Sequence, residues 1–209
     1  FSGSMTWLEF NPTWTVPPTI AKLDILPKAR QDPEYLANRN IRVFAGWLDD
    51  SPELASSAID WSAVDAKRIP FRFRQDPGPA NALGRVKFMF PNRFNVYLHD
   101  TPSRELFNKT VRSFSSGCVR AENPLGLAEY LTADLPGWDR KRIENVIASR
   151  KTTVVKLARP LPVHLTYSTV WFGEGGTIHF RDDVYARDDL MYQALFGYPP
   201  SRKQVPQDR

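Results

Sequence analysis

The sequence predicts an α+β fold, mainly β with several helices. Three observations carry this reading: short runs that alternate apolar and polar residues, two capped helix starts followed by apolar stripes, and a first third broken into short pieces by proline. A chain of 209 residues, 42% hydrophobic and 24% charged, suits one large domain or a domain carrying an insertion. Its composition excludes a disordered tail, a collagen-like repeat and a coiled coil.

Met5 to Phe10 reads as a first strand. Thr19 to Leu26 follows Pro17-Pro18 and reads as a short helix, because proline is tolerated in a first helical turn. Asp32-Pro33-Glu34 is a helix start with an Asp cap. Ile41 to Trp47 sets Ile41, Val43 and Ala45 against Arg42 and Phe44, as a strand does. Pro70 to Arg74 alternates aromatic and basic residues, and a turn-rich loop follows over residues 75–80. Arg85 to Phe90 and Phe94 to Leu98 are further strands, with Pro91-Asn92 between them. A long loop, 100–116, leads to Gly117-Cys118-Val119. Asn123-Pro124 then opens a helix striped by Leu125, Ala128 and Leu131, and Trp138-Asp139 opens another striped by Ile143, Val146 and Ile147. Thr152 to Leu157, Val163 to Phe172 and Thr177 to Val184 read as strands, the last two joined by a glycine-rich turn over 173–176. Asp188 to Phe196 reads as a last helix ending at Gly197.

The net charge of +5 and pI near 9.4 are compatible with an anionic partner such as a cell wall. The basic residues are scattered, however, and the densest cluster, Arg140-Lys141-Arg142, reads as a solvated helix face, so nucleic acid is not expected. One cysteine excludes an internal disulfide framework, and with three histidines beside it no structural metal site is expected. No run approaches the roughly 18–20 apolar residues of a membrane-spanning helix. The sequence opens at Phe1 without a leader-like segment, and residues 201–209 read as a frayed tail.

The candidate chemistry centres on Cys118. A lone cysteine is by default a small buried hydrophobe, but Ser115-Ser116-Gly117 precede it, where small residues let a backbone come close to a ligand. A thiol nucleophile needs a base, since the thiolate is the attacking species. His99 ends a strand-like run beside a loop, a common place for catalytic groups. His164 and His179 lie inside alternating strands and read as structural. Backbone N–H groups of Gly117 and Cys118 are candidate oxyanion donors.

The run from His99 to Arg120 resembles the signature of the L,D-transpeptidase (YkuD-type) catalytic domain: a His, a spacer of fifteen residues, then Ser115-Ser116-Gly117-Cys118-Val119-Arg120. The resemblance extends through Tyr97-Leu98-His99-Asp100-Thr101-Pro102, Pro70-Phe71-Arg72-Phe73, Pro77-Gly78-Pro79 and Leu83-Gly84-Arg85. The stretch from Asn11-Pro12 to Leu26-Pro27 is similar to larger Gram-negative members, in which a substrate-capping insertion interrupts the catalytic domain. It implies a YkuD-like β-sandwich made by residues 1–10 and 70–185, a mixed helical and loop insertion over 11–69 acting as a lid, and a C-terminal helix and tail over 186–209. Further strands of the family domain are expected ahead of Phe1. The resemblance also implies Cys118 as nucleophile, His99 as base, and the backbone carbonyl at Ser116 as an aid in holding the histidine. Tyr97, Arg120 and Ser115 are the expected substrate-binding residues. The implied reaction cleaves the terminal D-Ala from peptidoglycan tetrapeptide stems and forms 3→3 diaminopimelate cross-links in the periplasm or cell envelope. Carbapenem-type β-lactams are expected to inhibit it, and neither a metal nor an organic cofactor is implied.

Two other readings compete. A Cys hydrolase would cleave the same thioester with water, trimming stems or releasing wall-bound protein. A non-catalytic wall-binding module would keep the fold alone. Papain-like and NlpC-type peptidases are disfavoured because they usually place Cys before His in the chain.

Overall fold

The computed structural model describes residues 1–115 and 117–197. Ser116, named above as a catalytic residue, and residues 198–209 of the expected tail lie outside the described residues. The architecture is the α+β type that the patterning predicts: two mixed helix-and-sheet layers and a separate hairpin. The strands are β1 (Ser2–Phe10), β2 (Trp14–Thr15), β3 (Ile41–Phe44), β4 (Glu53–Leu54), β5 (Arg72–Gln75), β6 (Val86–Met89), β7 (Leu98–His99), β8 (Val119–Arg120), β9 (Thr153–His164), β10 (Val170–Phe172) and β11 (Ile178–Phe180). The chain divides into two compact units, residues 2–163 and Phe1 with the residues from His164 onward.

Within the larger unit, a five-stranded sheet has the order β8-β7-β6-β1-β9. The register Leu8↔Phe88 and Phe10↔Val86 puts four fully buried side chains on one face, because directly opposite residues share a side of the sheet. Helices α4 (Pro124–Thr132) and α5 (Arg140–Ala148), numbered after three shorter ones, contribute the buried Ala128 and Ile143. Both begin as expected. The Asn123 side chain accepts from the Gly126 N–H at 3.1 Å, and Asp139 accepts from the Arg142 N–H at 2.7 Å.

A four-stranded sheet of order β2-β5-β3-β4 has its own core. Ile41, Val43 and Phe73 point from it into a cluster with Val16, Ile25, Leu26, Leu36 and Trp61. Helices α1 (Pro18–Ile20), α2 (Leu26–Gln31) and α3 (Tyr35–Asn38) cover that face. Here the helix expected to end at Leu26 runs on to Gln31. Pro27 has no N–H to give to Leu23, and the chain widens ahead of it into a π-type segment, Ala21–Ile25, closed by the Leu26 N–H on the Ala21 carbonyl. The passage between the sheets is pinned by buried amides. Asn11 Nδ2 donates to the Val146 carbonyl at 2.8 Å, and Asn81 Nδ2 to the Pro12 carbonyl at 2.9 Å.

The strand expected over Phe94 to Leu98 is shorter and later than the pattern implies. Asn92 closes a loop around it, its amide donating to the Phe90 and Val96 carbonyls at 2.7 Å each, and Asn95 has φ 52°. Only Leu98 and His99 join the sheet. In the smaller unit, β10 and β11 pair antiparallel around Gly175 and Gly176, both at positive φ, and α6 (Asp188–Phe196) ends at Gly197 in the left-handed region. The expected strand from Thr152 and the start of the next merge into the single long β9.

Candidate active site

The site is assembled by sheet register. Lys87 on β6 is opposite His99 on β7, and His99 is opposite Arg120 on the parallel neighbour β8. Glu9 on β1 is opposite Lys87. Four ionisable residues therefore form one row, Glu9, Lys87, His99, Arg120, on the face opposite the Leu8–Phe88 core pairs. Tyr97 and Cys118, each two residues before a member of the row, lie on the same side. Two bonds lock β8 beside β7, from the Val119 N–H to the Tyr97 carbonyl at 3.1 Å and from the Ala121 N–H to the His99 carbonyl at 2.8 Å. This brings residues nineteen positions apart in the sequence to the same sheet edge.

Within that row His99 is buried, and its Nδ1 meets the backbone carbonyl of Asp100. A carbonyl only accepts, so Nδ1 carries the proton and Nε2 keeps its lone pair. Burial holds the imidazole below its ordinary pKa of 6.5. The charges of Arg120 and Lys87 push the same way, against an opposing pull from Asp100. The neutral base is therefore the favoured form at pH 7.

Asp100 is held from two sides. Its carboxylate accepts from Arg85 Nε at 2.8 Å and the Arg85 N–H at 3.0 Å, and from Arg104 Nη1 at 2.9 Å. Gly84 lies against it with φ +64°, and a Cβ there would fall 2.5 Å from Asp100 Cγ, so both the backbone and the space require glycine. The sequence reading placed the carbonyl that steadies His99 at Ser116; among the described residues Asp100 provides one.

The thiol of Cys118 is half-buried and free. Tyr97 is its hydrogen-bond partner. Burial first, then the charge and the hydrogen bond of Cys118, hold the tyrosine hydroxyl in its protonated form far above the usual range. The Tyr97 ring stands edge-on to His99 with centroids 5.9 Å apart. Gly117 has φ +146°, which an L side chain rarely adopts, and its N–H donates to Ser115 Oγ at 3.2 Å. Ser115 is thus engaged with the turn, and one of the two expected oxyanion donors has a partner in this conformation. Arg120 Nε is buried without a hydrogen-bond partner. His164 is exposed, and His179 stacks on Trp171 at 5.2 Å in the smaller unit. Both belong to the smaller unit.

The sequence pattern singled out Tyr97, His99, Ser115, Gly117, Cys118 and Arg120, and missed Glu9, Lys87 and Asp100. Glu9 arrives by strand register from more than seventy residues away and Lys87 by register from twelve, and neither leaves a local motif. Asp100 is adjacent to His99, and its distinguishing feature, two arginine partners, is tertiary.

A histidine, a thiol and an arginine thus stand along one sheet edge, the thiol preceded by a glycine at positive φ. The family model of the YkuD L,D-transpeptidase catalytic domain matches residues 1–156, and the chain belongs to that family. It is also 40% identical over 196 residues to a Haemophilus influenzae protein whose name reads "Putative L,D-transpeptidase". The match takes in 93% of this chain and 38% of that relative, so the chain spans well under half of its relative's length.

Proposed function

We propose that this domain catalyses L,D-transpeptidation on peptidoglycan stems in the periplasm or cell envelope, with Cys118 as nucleophile and His99 as general base. The observation that carries the reading is the common sheet face of Tyr97, His99, Cys118 and Arg120, with His99 Nδ1 tied to a carbonyl and Nε2 left as the basic nitrogen.

In the first half-reaction His99 takes the thiol proton as sulfur adds to the carbonyl between the diaminopimelate residue and the terminal D-Ala. The Cys118 N–H would bind the oxyanion, joined by the Gly117 N–H once it leaves Ser115 Oγ. Collapse breaks the C–N bond, the imidazolium returns its proton to the departing D-Ala amine, and a thioester remains. In the second half-reaction the side-chain amine of another stem attacks the thioester. Its proton passes through His99 to the sulfur as the C–S bond breaks, leaving a 3→3 cross-link. Tyr97 orients the thiol through its hydroxyl. Arg120 supplies the cation for a stem carboxylate, and its buried, unpartnered Nε supports that role. Residues 11–69 serve as the lid that keeps water from the thioester.

Incubation with a carbapenem, read by intact mass, tests the assignment. One covalent adduct is expected on the native chain and none on Cys118→Ala. An adduct that survives the substitution, or none on the native chain, overturns it. Purified stems supplied with and without an acceptor amine then separate cross-linking from hydrolysis.

A further inference from the structure

We propose that Lys87, anchored by Glu9, is a positioning residue for this site: its ammonium fixes the Tyr97 ring against His99 and Cys118 and keeps a positive charge beside the base. The inference rests on the reading of Cys118 as nucleophile and His99 as base.

Four contacts carry it. Lys87 Nζ lies 3.8 Å from Glu9 Oε2, with only 17% and 18% of the two side chains exposed. Holding a charge pair largely out of water is costly and is a weak route to stability. The same ammonium lies 4.6 Å from the centroid of the Tyr97 ring, close enough for an electrostatic attraction to its face. That ring in turn packs edge-on against His99 and gives its hydroxyl to Cys118. Lys87 thus holds a side chain that touches both catalytic candidates. The direct register Lys87↔His99 also places its charge next to the imidazole, on the opposite side from Arg120.

The pair has a second consequence. Removing one member would leave the other poorly solvated, so a structural defect and a catalytic one must be separated. The charged and titratable groups around His99 are Glu9 on β1, Lys87 on β6, Tyr97 and Asp100 flanking it in the chain, and Cys118 and Arg120 on and beside β8. Of these, Arg120 and Lys87 disfavour the imidazolium and Asp100 favours it. Without Lys87, His99 therefore protonates more readily.

The variants are Lys87→Met, Lys87→Arg and the double variant Glu9→Gln/Lys87→Met, which removes both charges together. Each is checked for a cooperative thermal transition, and then measured for carbapenem acylation rate against pH and for turnover of a tetrapeptide stem. The imidazole of His99 is titrated by NMR. The expected result for Lys87→Met and the double variant is an acylation rate at least about tenfold lower, a fall in kcat with KM little changed, and an upward move of both the acid limb and the His99 titration. Lys87→Arg keeps the cation and restores most of the rate. A folded double variant with the native rate and titration overturns the proposal, and so does a Lys87→Arg variant as impaired as Lys87→Met. Failure of the functional reading looks different: the native chain takes no adduct, while the NMR titration still decides whether Lys87 acts on His99.

Discussion

Asp100 joins the chemistry to the framework at the residue scale. Its carbonyl orients His99 while its carboxylate is clamped by Arg85 and Arg104, so the imidazole is fixed through a backbone segment that cannot rotate freely. Asp100→Ala should slow Cys118 acylation by tenfold or more, since small misplacements of a catalytic group cost on the order of 10²-fold. It should also lower the denaturant midpoint by an amount equivalent to about 1.5–3 kcal/mol, the worth of a hydrogen bond to a charged group. Gly84→Ala attacks the same clamp from its other side, through strain at φ +64° and a clash with Asp100, and should lower stability and acylation together. The depressed pKa of His99 sets two pH dependences. The imidazole stays neutral below its ordinary value of 6.5, so the acid limb of the acylation rate should lie below pH 6.5. The same shift links to stability. Between 6.5 and the folded value the unfolded chain binds a proton that the native chain does not, so stability should fall as pH drops through that window. Denaturant titrations of the native chain and of His99→Gln check this, the variant losing that slope.

Caps and registers decide the outcome at the scale of single elements. Asn123 and Asp139 each precede an apolar stripe, and both accept the backbone N–H that a cap should. Those starts were legible because capping is chemistry within four residues. Asp139→Ala should cost about 1 kcal/mol by thermal or chemical melting. Gly126→Ala should impair the other helix by a different route, since its Cβ would fall 2.5 Å from the Asn123 amide. Strand ends were less legible. Phe94 to Leu98 has an alternating pattern, but the bonds made by Asn92 win over it and leave two residues in the sheet. Alternation also hid the outer face of β3 and β5. Phe44 is buried there under the guanidiniums of Arg42, Arg72 and Arg74, which lie 5.5, 4.5 and 4.8 Å from its ring centroid. Phe44→Ala should therefore behave as a core truncation, costing about 3–5 kcal/mol, and a loss under about 1 kcal/mol in chemical denaturation would show that the arginines pack without it.

Over the whole molecule, the α+β class, the order of most elements, the helix starts and the pair of residues on which the candidate chemistry turns, His99 and Cys118, are legible in the order of residues along the chain. These depend on periodicity, on caps and on a motif contained in about twenty residues, all of which are local. The tertiary structure alone decided which groups stand around that pair. Glu9 and Lys87 reach His99 by antiparallel register, Asp100 acquires its role from arginines at 85 and 104, and Asn11 and Asn81 tie distant segments by amide bonds to backbone. A polar side chain reads the same in sequence whether it faces water or a buried partner. Only the register of the strands and the closure of the core remove the water and assign the partner.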